Sequence, residues 1–274
     1  MLPLFVVIQF TRKQLLLNLR LLGRRNFGLS ILITLTLGFG LYGSTFILPL
    51  YLSMVSGYNA VQIGTTIAWA GIPQLFITPF VPELMKRFDL RLLVAVGLTL
   101  FGISCFMNSN LTYDTGMDQL IPAQIVRALG QPLILTPLSS ISTAGIEAKQ
   151  IGSASAIYNM ARNLGGSIGI SILGTLQSRR ERFHSNRLVD NVSLSNLITL
   201  DRIDQLTQFF TTQGADPVTA HNQAIAHISN IVRRESNVLA FNDCFLFMGF
   251  ILFAGALLVL LLKKVKSTGG ATGH

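Results

Sequence analysis

The sequence has 274 residues, of which half are apolar and only 12% are charged, and its formal net charge is +9. A soluble domain carries about 25% charged residues, so this composition argues against a water-soluble fold. A basic chain can also bind nucleic acid, but the placement of the basic residues described below explains the excess better, and we predict no nucleic-acid partner. Cys105 and Cys244 lie in apolar stretches and are expected to be inert core thiols.

Six apolar stretches are long enough to cross a bilayer, which takes about 20 residues of helix. Helices are expected because lipid offers no hydrogen-bond partners to the backbone. The predicted spans are Phe27–Leu52, Val61–Leu84, Leu92–Met107, Gln119–Ser142, Ser153–Leu176 and Asn242–Leu262. The predicted fold class is all-α, an integral membrane six-helix bundle in the lipid bilayer.

The rest of the chain is predicted to flank or connect these spans. Leu2–Phe10 is too short to cross the membrane and is followed by an interfacial segment, as expected for a chain cut in mid-protein. The predicted organisation is a stub and linker over 1–26, five spans over 27–176, an outer loop over 177–241, a last span over 242–263 and a tail over 264–274.

Basic residues occur on alternate connectors, which predicts the orientation of the bundle. They include Arg20, Arg24, Arg25, Lys86, Arg87, Arg91, Lys149, Lys263, Lys264 and Lys266. By the positive-inside rule both termini are cytoplasmic. The long loop breaks the pattern, since it starts with four arginines, but long loops cross the membrane largely regardless of charge.

The long loop is predicted to contain one or two amphipathic helices. Asp216–Pro217 is typical of a helix start. Apolar residues recur at helical spacing on both sides of it, at Leu194, Leu197, Ile198, Ile225, Ile228, Ile231 and Val232. Two interpretations stay open: a helix folded back on the membrane or on its own spans, and a docking surface for a periplasmic or extracellular partner.

Two arginines lie inside predicted spans, where a charge is costly and marks a functional candidate. Arg127 and Arg162 should face the bundle interior and pair with a carboxylate, a polar side chain or a helix end. Either they lock helices together, or they contact an anionic substrate or control a conformational change. Carboxylates occur only near span ends, so we expect a proton-carrying acid elsewhere.

Small residues and prolines suggest close packing and broken helices. Gly165 and Gly169 form a GxxxG pair, and Ser167 and Ser171 form a second small-residue pair. Pro73, Pro79, Pro132 and Pro137 are predicted to interrupt their helices, either for packing alone or to line a cavity.

Motifs of enzymes are absent from the sequence. It contains no P-loop, HExxH, CxxC or GxSxG motif, and its histidines lie in the long loop or at the terminus. We therefore predict no enzymatic activity, no cofactor and no metal site.

Four stretches have a pattern typical of one family: RNFGLSILITLTLGFGLYGSTFILPLYLSMVSGYNA, PFVPELMKRFDLRLLV, RALGQPLILTPLSSIST and SASAIYNMARNLGGSIGISILGT. They resemble the C-terminal half of the EmrB/QacA-type fourteen-helix drug/proton antiporters of the major facilitator superfamily. The resemblance runs from about Phe5 to Lys264. It implies half of a major-facilitator fold and proton-driven multidrug efflux of hydrophobic or amphipathic compounds across a bacterial inner membrane.

The same resemblance implies partners and roles. A periplasmic adaptor would face the loop over 177–241. Asp89 and Arg91 match a degenerate cytoplasmic loop motif whose charges latch bundles together, and Arg127 and Arg162 match arginines with structural or gating roles. The N-terminal bundle, with the coupling acid, is absent, so transport is expected to need an N-terminal half or a homodimer. The alternative is a non-transporting membrane scaffold or remnant that binds partner proteins.

Periodicity selects the inward-facing polar residues as candidates for the substrate cavity or gate. They are Arg127, Arg162, Tyr42, Gln74, Gln131, Tyr158 and Asn159.

Overall fold

A computed structural model describes residues 19–192 and 197–264, and all regular secondary structure within those ranges is helical. The predicted all-α class is confirmed. The α-helices are α1 (Arg25–Met54), α2 (Ala60–Ile77), α3 (Val81–Arg87), α4 (Leu90–Met107), α5 (Met117–Thr143), α6 (Ala148–Asn191), α7 (Leu197–Thr212) and α8 (Pro217–Val259). Short 3₁₀ turns occupy Leu19–Gly23, Thr78–Phe80 and Asn108–Asn110.

By length and composition, four segments of the described chain could cross a membrane. They are Arg25–Met54, Ala60–Arg87, Leu90–Asn110 and Pro217–Val259. Helices α5 and α6, at 27 and 44 residues, are also long enough to span but contain more polar side chains. They correspond to the fourth and fifth predicted spans. The residue boundaries of the six spans remain a prediction.

Helix α8 lies at the centre of the bundle and packs against α1, α4 and α6. Helix α1 runs along α6, α4 runs along α5, and α2 lies outside and packs mainly on α5. Leu37, Phe101, Phe245 and Met248 are fully buried in the shared core. Both cysteines are free and buried, as expected from their apolar surroundings.

Glycines allow α1 and α6 to approach backbone to backbone. A Cβ atom at Gly165 would collide with the Leu35 carbonyl oxygen, and one at Gly38 would collide with the Arg162 carbonyl oxygen. At Gly169 a Cβ would lie 2.9 Å from the Phe39 oxygen. The close approach predicted for the GxxxG pair is therefore confirmed, and its partner is α1.

The prediction that prolines interrupt the helices is wrong at three of four positions. Helix α2 continues through Pro73, and α5 continues through Pro132 and Pro137. Only near Pro79 does the α-helix give way to the 3₁₀ turn over Thr78–Phe80. A proline removes one backbone hydrogen bond, whereas a full break in an apolar bundle would leave several backbone groups without partners.

The predicted outer loop is mostly helical, because α6 and α8 extend into it from the bundle. The predicted helix start is confirmed: the Asp216 carboxylate accepts hydrogen bonds of 3.1 Å from the Val218 and Thr219 N–H groups. Helix α7 packs on α8, and Ile203 of α7 shares an apolar cleft with Ile228 of α8. Helix α7 thus folds back on the extension of α8 that lies within the predicted loop, and not on a predicted span. The stub at Leu2–Phe10, the apolar position Leu194 and the tail lysine Lys266 fall outside the described residues.

Candidate functional site: a polar cleft between two helices

Helices α5 and α6 enclose a polar cleft of about 350 Å³ near the end of the bundle where α5 ends and α6 begins. Small-molecule sites in proteins have volumes of roughly 300–1,000 Å³, so the cleft is large enough for part of a ligand. It is lined by Leu135, Thr136, Ser139, Ser142, Thr143, Ser155, Tyr158, Asn159 and Arg162. Leu135 is the single aliphatic side chain among these residues.

The α6 wall of the cleft is one face of a helix. Ser155, Tyr158, Asn159 and Arg162 are spaced i, i+3, i+4 and i+7, so they lie one above another. Sequence periodicity selected the last three of these residues and missed Ser155. The same spacing rule would have found it, but a lone serine in an apolar stretch carries little signal.

Two donor atoms of residues that line the cleft are buried and have no hydrogen-bond partner in the described part of the chain. The Arg162 Nη2 donates to the Asn159 Oδ1 at 3.1 Å, while the Arg162 Nε has no partner in the described part of the chain. The Tyr158 hydroxyl is also buried without a hydrogen-bond partner there. The nearby Thr34 hydroxyl donates to the Ser30 carbonyl at 2.7 Å. The cleft therefore keeps unused hydrogen-bonding capacity, which is costly in an apolar bundle.

A second polar set lies on α5, inside the bundle and away from the cleft lining. Arg127 is 7% exposed, and its guanidinium carbon lies 5.7 Å from the centre of the Phe101 ring. The Arg127 Nε, the Gln131 Nε2 and both amide atoms of Gln124 are buried without partners in the described residues. Arg127 therefore faces inward as expected, but no carboxylate in that part of the chain pairs with it. Gln124 was missed, although it lies three residues before Arg127.

The other two cavity candidates also lie outside the cleft lining. The Tyr42 hydroxyl donates to the Asn163 Oδ1 at 3.1 Å, and the Tyr42 ring covers Gly166. Gln74 is half-buried on α2. The structure thus brings three sequence candidates together in the cleft, and the functional roles of all seven remain predictions.

Asp89 and Arg91 meet at the end of the bundle that is predicted to be cytoplasmic. The Arg91 Nη2 lies 3.2 Å from the Asp89 Oδ2, and the Asp89 Oδ1 accepts a 3.1 Å hydrogen bond from the Arg91 N–H. Desolvation raises the pKa of Asp89, but the hydrogen bonds and charge of Arg91 outweigh it and hold that pKa below its usual value. The Arg91 Nη1 also donates to the Leu262 carbonyl, so the pair joins helices within this bundle.

A charged cluster between α6 and α8 was missed. The Asp243 Oδ2 accepts a 2.6 Å hydrogen bond from the Arg180 Nε and lies 2.7 Å from the His184 Nε2. Arg180 and Asp243 are 63 positions apart, so no local pattern could reveal the pair.

A comparison with protein families now adds to this geometry. Residues 6–170 match the model of the Major Facilitator Superfamily. The chain belongs to the major facilitator superfamily. It is therefore a multi-pass membrane protein, consistent with its long apolar helices.

The chain is also similar to individual exporters of this family. It is 28% identical to the colistin resistance protein EmrB of Acinetobacter baumannii over 96% of its own length and 51% of that protein. It is 27% identical to the fatty acid resistance protein FarB of Neisseria gonorrhoeae, over 98% of this chain and 52% of FarB. It is 27% identical to the multidrug export protein EmrB of Escherichia coli K12, over 98% of this chain and 51% of that protein.

The chain thus spans about half the length of the curated relatives it matches. The resemblance to EmrB-type exporters is confirmed, and the coverage is consistent with a C-terminal half. These relatives are transporters and not enzymes.

Proposed function

We propose that this chain is one half of a proton-driven exporter of hydrophobic or amphipathic compounds. The observation that carries the proposal is the polar cleft with Arg162, placed between two helices of a bundle whose core is mainly apolar. Ionisable groups at such positions cost several kcal/mol and commonly mark a substrate or ion pathway. The names of the relatives concern colistin, fatty acids and drugs in general, which supports export of amphipathic compounds without selecting one of them.

The exposed face of α6 supports a second bundle. Asn163, Ser167 and Ser171 are exposed and spaced four residues apart, so they form a polar stripe along the helix. Polar side chains in the membrane face protein or a water-filled cavity rather than lipid. We therefore assign this face to contact with an N-terminal half or with a second copy of the chain.

The proton-coupling acid belongs to that second bundle in our proposal. The lining of the cleft contains no carboxylate, and Arg127 has no acidic partner among the described residues. Arg127 and Arg162 would then act on substrate or on the conformational change, with Asp89 and Arg91 as the latch at the cytoplasmic end.

We also propose that the protein lies in a bacterial inner membrane with both termini in the cytoplasm. The basic connectors support this orientation by the positive-inside rule. The extended ends of α6 and α8, together with α7, then project outward. They offer a surface to a periplasmic adaptor protein.

The decisive experiment is complementation. The chain would be co-expressed with the N-terminal half of the Acinetobacter baumannii relative in an efflux-deficient strain, and accumulation of a fluorescent amphipathic dye would be measured. We expect less accumulation than with either half alone. The relative's own C-terminal half serves as the positive control.

The alternative function is a membrane scaffold that binds partners without transport. If the relative's two halves restore efflux and the hybrid does not, the chain alone would be tested next, since a homodimer would export without a second gene. Failure of both would support the scaffold and reject the exporter.

A further inference from the structure

The lining of the cleft between α5 and α6 carries positive charge and no negative charge. It contains the guanidinium of Arg162, and none of its lining residues is acidic. A cationic ligand would meet the positive charge of Arg162 with no carboxylate in the lining to compensate it, and like charges repel. The charge of the cleft therefore favours anionic ligands over cationic ones.

Most hydroxyl groups on the α5 side are already committed to their own helix. The Ser142 hydroxyl donates to the Ser139 carbonyl at 2.7 Å, and the Ser139 hydroxyl donates to the Thr136 carbonyl at 2.8 Å. The Thr143 hydroxyl also donates to the Ser139 carbonyl, at 3.1 Å. These three groups have no proton left for a ligand.

The remaining groups are donors without acceptors. The Arg162 Nε and the Tyr158 hydroxyl, which lies near Thr34, are buried without hydrogen-bond partners in the described part of the chain. Because helical side chains lean toward the N-terminus, Arg162 leans toward Asn159, as its 3.1 Å hydrogen bond shows, and so toward Tyr158 and Ser155. A carboxylate accepts hydrogen bonds from these donors and also neutralises the charge of Arg162, whereas a neutral acceptor provides only the hydrogen bonds and a cationic group provides neither.

We propose that this cleft is a subsite for the anionic head group, a carboxylate, of an amphipathic compound. Arg162 and Tyr158 donate to the carboxylate oxygens, and Leu135 contacts the first carbons of the tail. That the compound is cargo rests on the proposed export function; that the cleft binds it does not. A charge-assisted hydrogen bond is about twice as strong as a neutral one, so Arg162 dominates the selectivity.

The test is a binding measurement on the full chain in nanodiscs of zwitterionic lipid. Three probes share a twelve-carbon tail and differ in head group: laurate, dodecanol and dodecyltrimethylammonium. Isothermal titration, corrected with empty nanodiscs, should show laurate binding about tenfold tighter than dodecanol, and the cation weakest. Equal affinities for the three probes, or preference for the cation, would overturn the proposal.

Substitutions in the cleft test whether laurate binds there. Arg162→Gln should weaken laurate binding about tenfold and leave dodecanol unchanged, while Arg162→Lys retains most of the affinity. Tyr158→Phe removes one hydroxyl and should cost about threefold, which keeps the test valid if Arg162→Gln does not fold. Arg87→Gln is the matched control, since it removes the same charge from a side chain that is 71% exposed and pairs with Glu83. An equal loss in Arg87→Gln would show a general charge effect and reject the subsite.

The binding result and the efflux result can be separated. Selective laurate binding without efflux by the hybrid exporter or by the chain alone leaves the subsite in place and rejects the export function. Efflux without selective binding of laurate rejects the subsite and leaves the export function in place.

Discussion

The Arg91 guanidinium donates a hydrogen bond of 2.7 Å to the Leu262 carbonyl oxygen and so joins the start of α4 to the turn that follows α8. Arg25 adds a second bond to this end, from its Nη2 to the Leu261 carbonyl at 3.1 Å. The C-terminal end of a helix carries partial negative charge, so cations close to it are stabilising. The end of the central helix is thus held by side chains from two neighbouring helices.

Replacement of Arg91 should loosen this end of the bundle. Arg91→Ala removes the bond to Leu262 and the ion pair with Asp89, and we expect the free energy of unfolding to fall by about 2 kcal/mol. Thermal unfolding in detergent, followed by circular dichroism, measures the change. Arg87→Ala is the control, because its pair with Glu83 is exposed and contributes less than about 1 kcal/mol. Equal effects of the two substitutions would contradict the role assigned to Arg91.

The Asp89–Arg91 pair should also make stability depend on pH. In the folded protein the pKa of Asp89 lies below its ordinary value of 3.8. Its ionised form therefore stabilises the fold above about pH 4, and this contribution is lost as the pH falls through the folded pKa. The difference in melting temperature between wild type and Asp89→Asn should be constant between about pH 5 and 8 and shrink below about pH 4. A difference that persists in acid would show that the carboxylate charge is not its source.

The contact between α1 and α6 depends on the lack of a side chain at Gly165. Gly165→Ala places a methyl group against the Leu35 carbonyl and should lower the free energy of unfolding by about 1–3 kcal/mol. Gly152→Ala, in the same helix, is the matched control. Nothing lies within 4 Å of its added Cβ, so alanine should stabilise the helix by about 0.5–1 kcal/mol. Opposite signs in denaturant unfolding would confirm the argument, and a stabilised Gly165→Ala variant would refute it.

The Asp243 cluster should couple α6 to α8 energetically. A double-mutant cycle with Asp243→Asn and Arg180→Gln should give an interaction energy of about 1 kcal/mol. Either single substitution already removes the 2.6 Å hydrogen bond, so the double variant should lose less stability than the sum of the two single variants. The control cycle combines Arg180→Gln with Asp204→Asn, because Asp204 is an exposed acid on α7. The stability losses of these two substitutions should be additive. Additivity at Asp243 itself would mean that the pair contributes nothing to the fold.

Arg127 offers a test that separates folding from transport. It is buried without a carboxylate partner in the described chain, so a leucine of similar bulk should not destabilise the protein. In the hybrid exporter Arg127→Leu should nevertheless reduce dye efflux by about tenfold or more, if the arginine acts on substrate or on the conformational change. Loss of more than about 2 kcal/mol of stability would show instead that Arg127 is a structural lock.

Several features of this protein follow from the sequence alone because they are local. The apolar stretches predict long helices, since a span is recognised by its own length and composition. The helix start at Asp216 is equally local, because its carboxylate binds N–H groups two and three residues further on. Three residues of the cleft, Tyr158, Asn159 and Arg162, share one face of one helix and were accessible to the same logic.

Tertiary structure alone decided the remaining features. The bond between Arg91 and Leu262 spans 171 positions, and the pair Arg180–Asp243 spans 63, so both depend on which helices become neighbours. The cleft also needs the α5 wall, whose serine and threonine side chains look unremarkable in the sequence. Helix α5 likewise stays continuous through Pro132 and Pro137, because in a packed apolar bundle a lost hydrogen bond costs less than a broken helix. Local patterns determined where the helices are, and the packing of helices far apart in the chain determined which polar groups were left unpaired in the cleft.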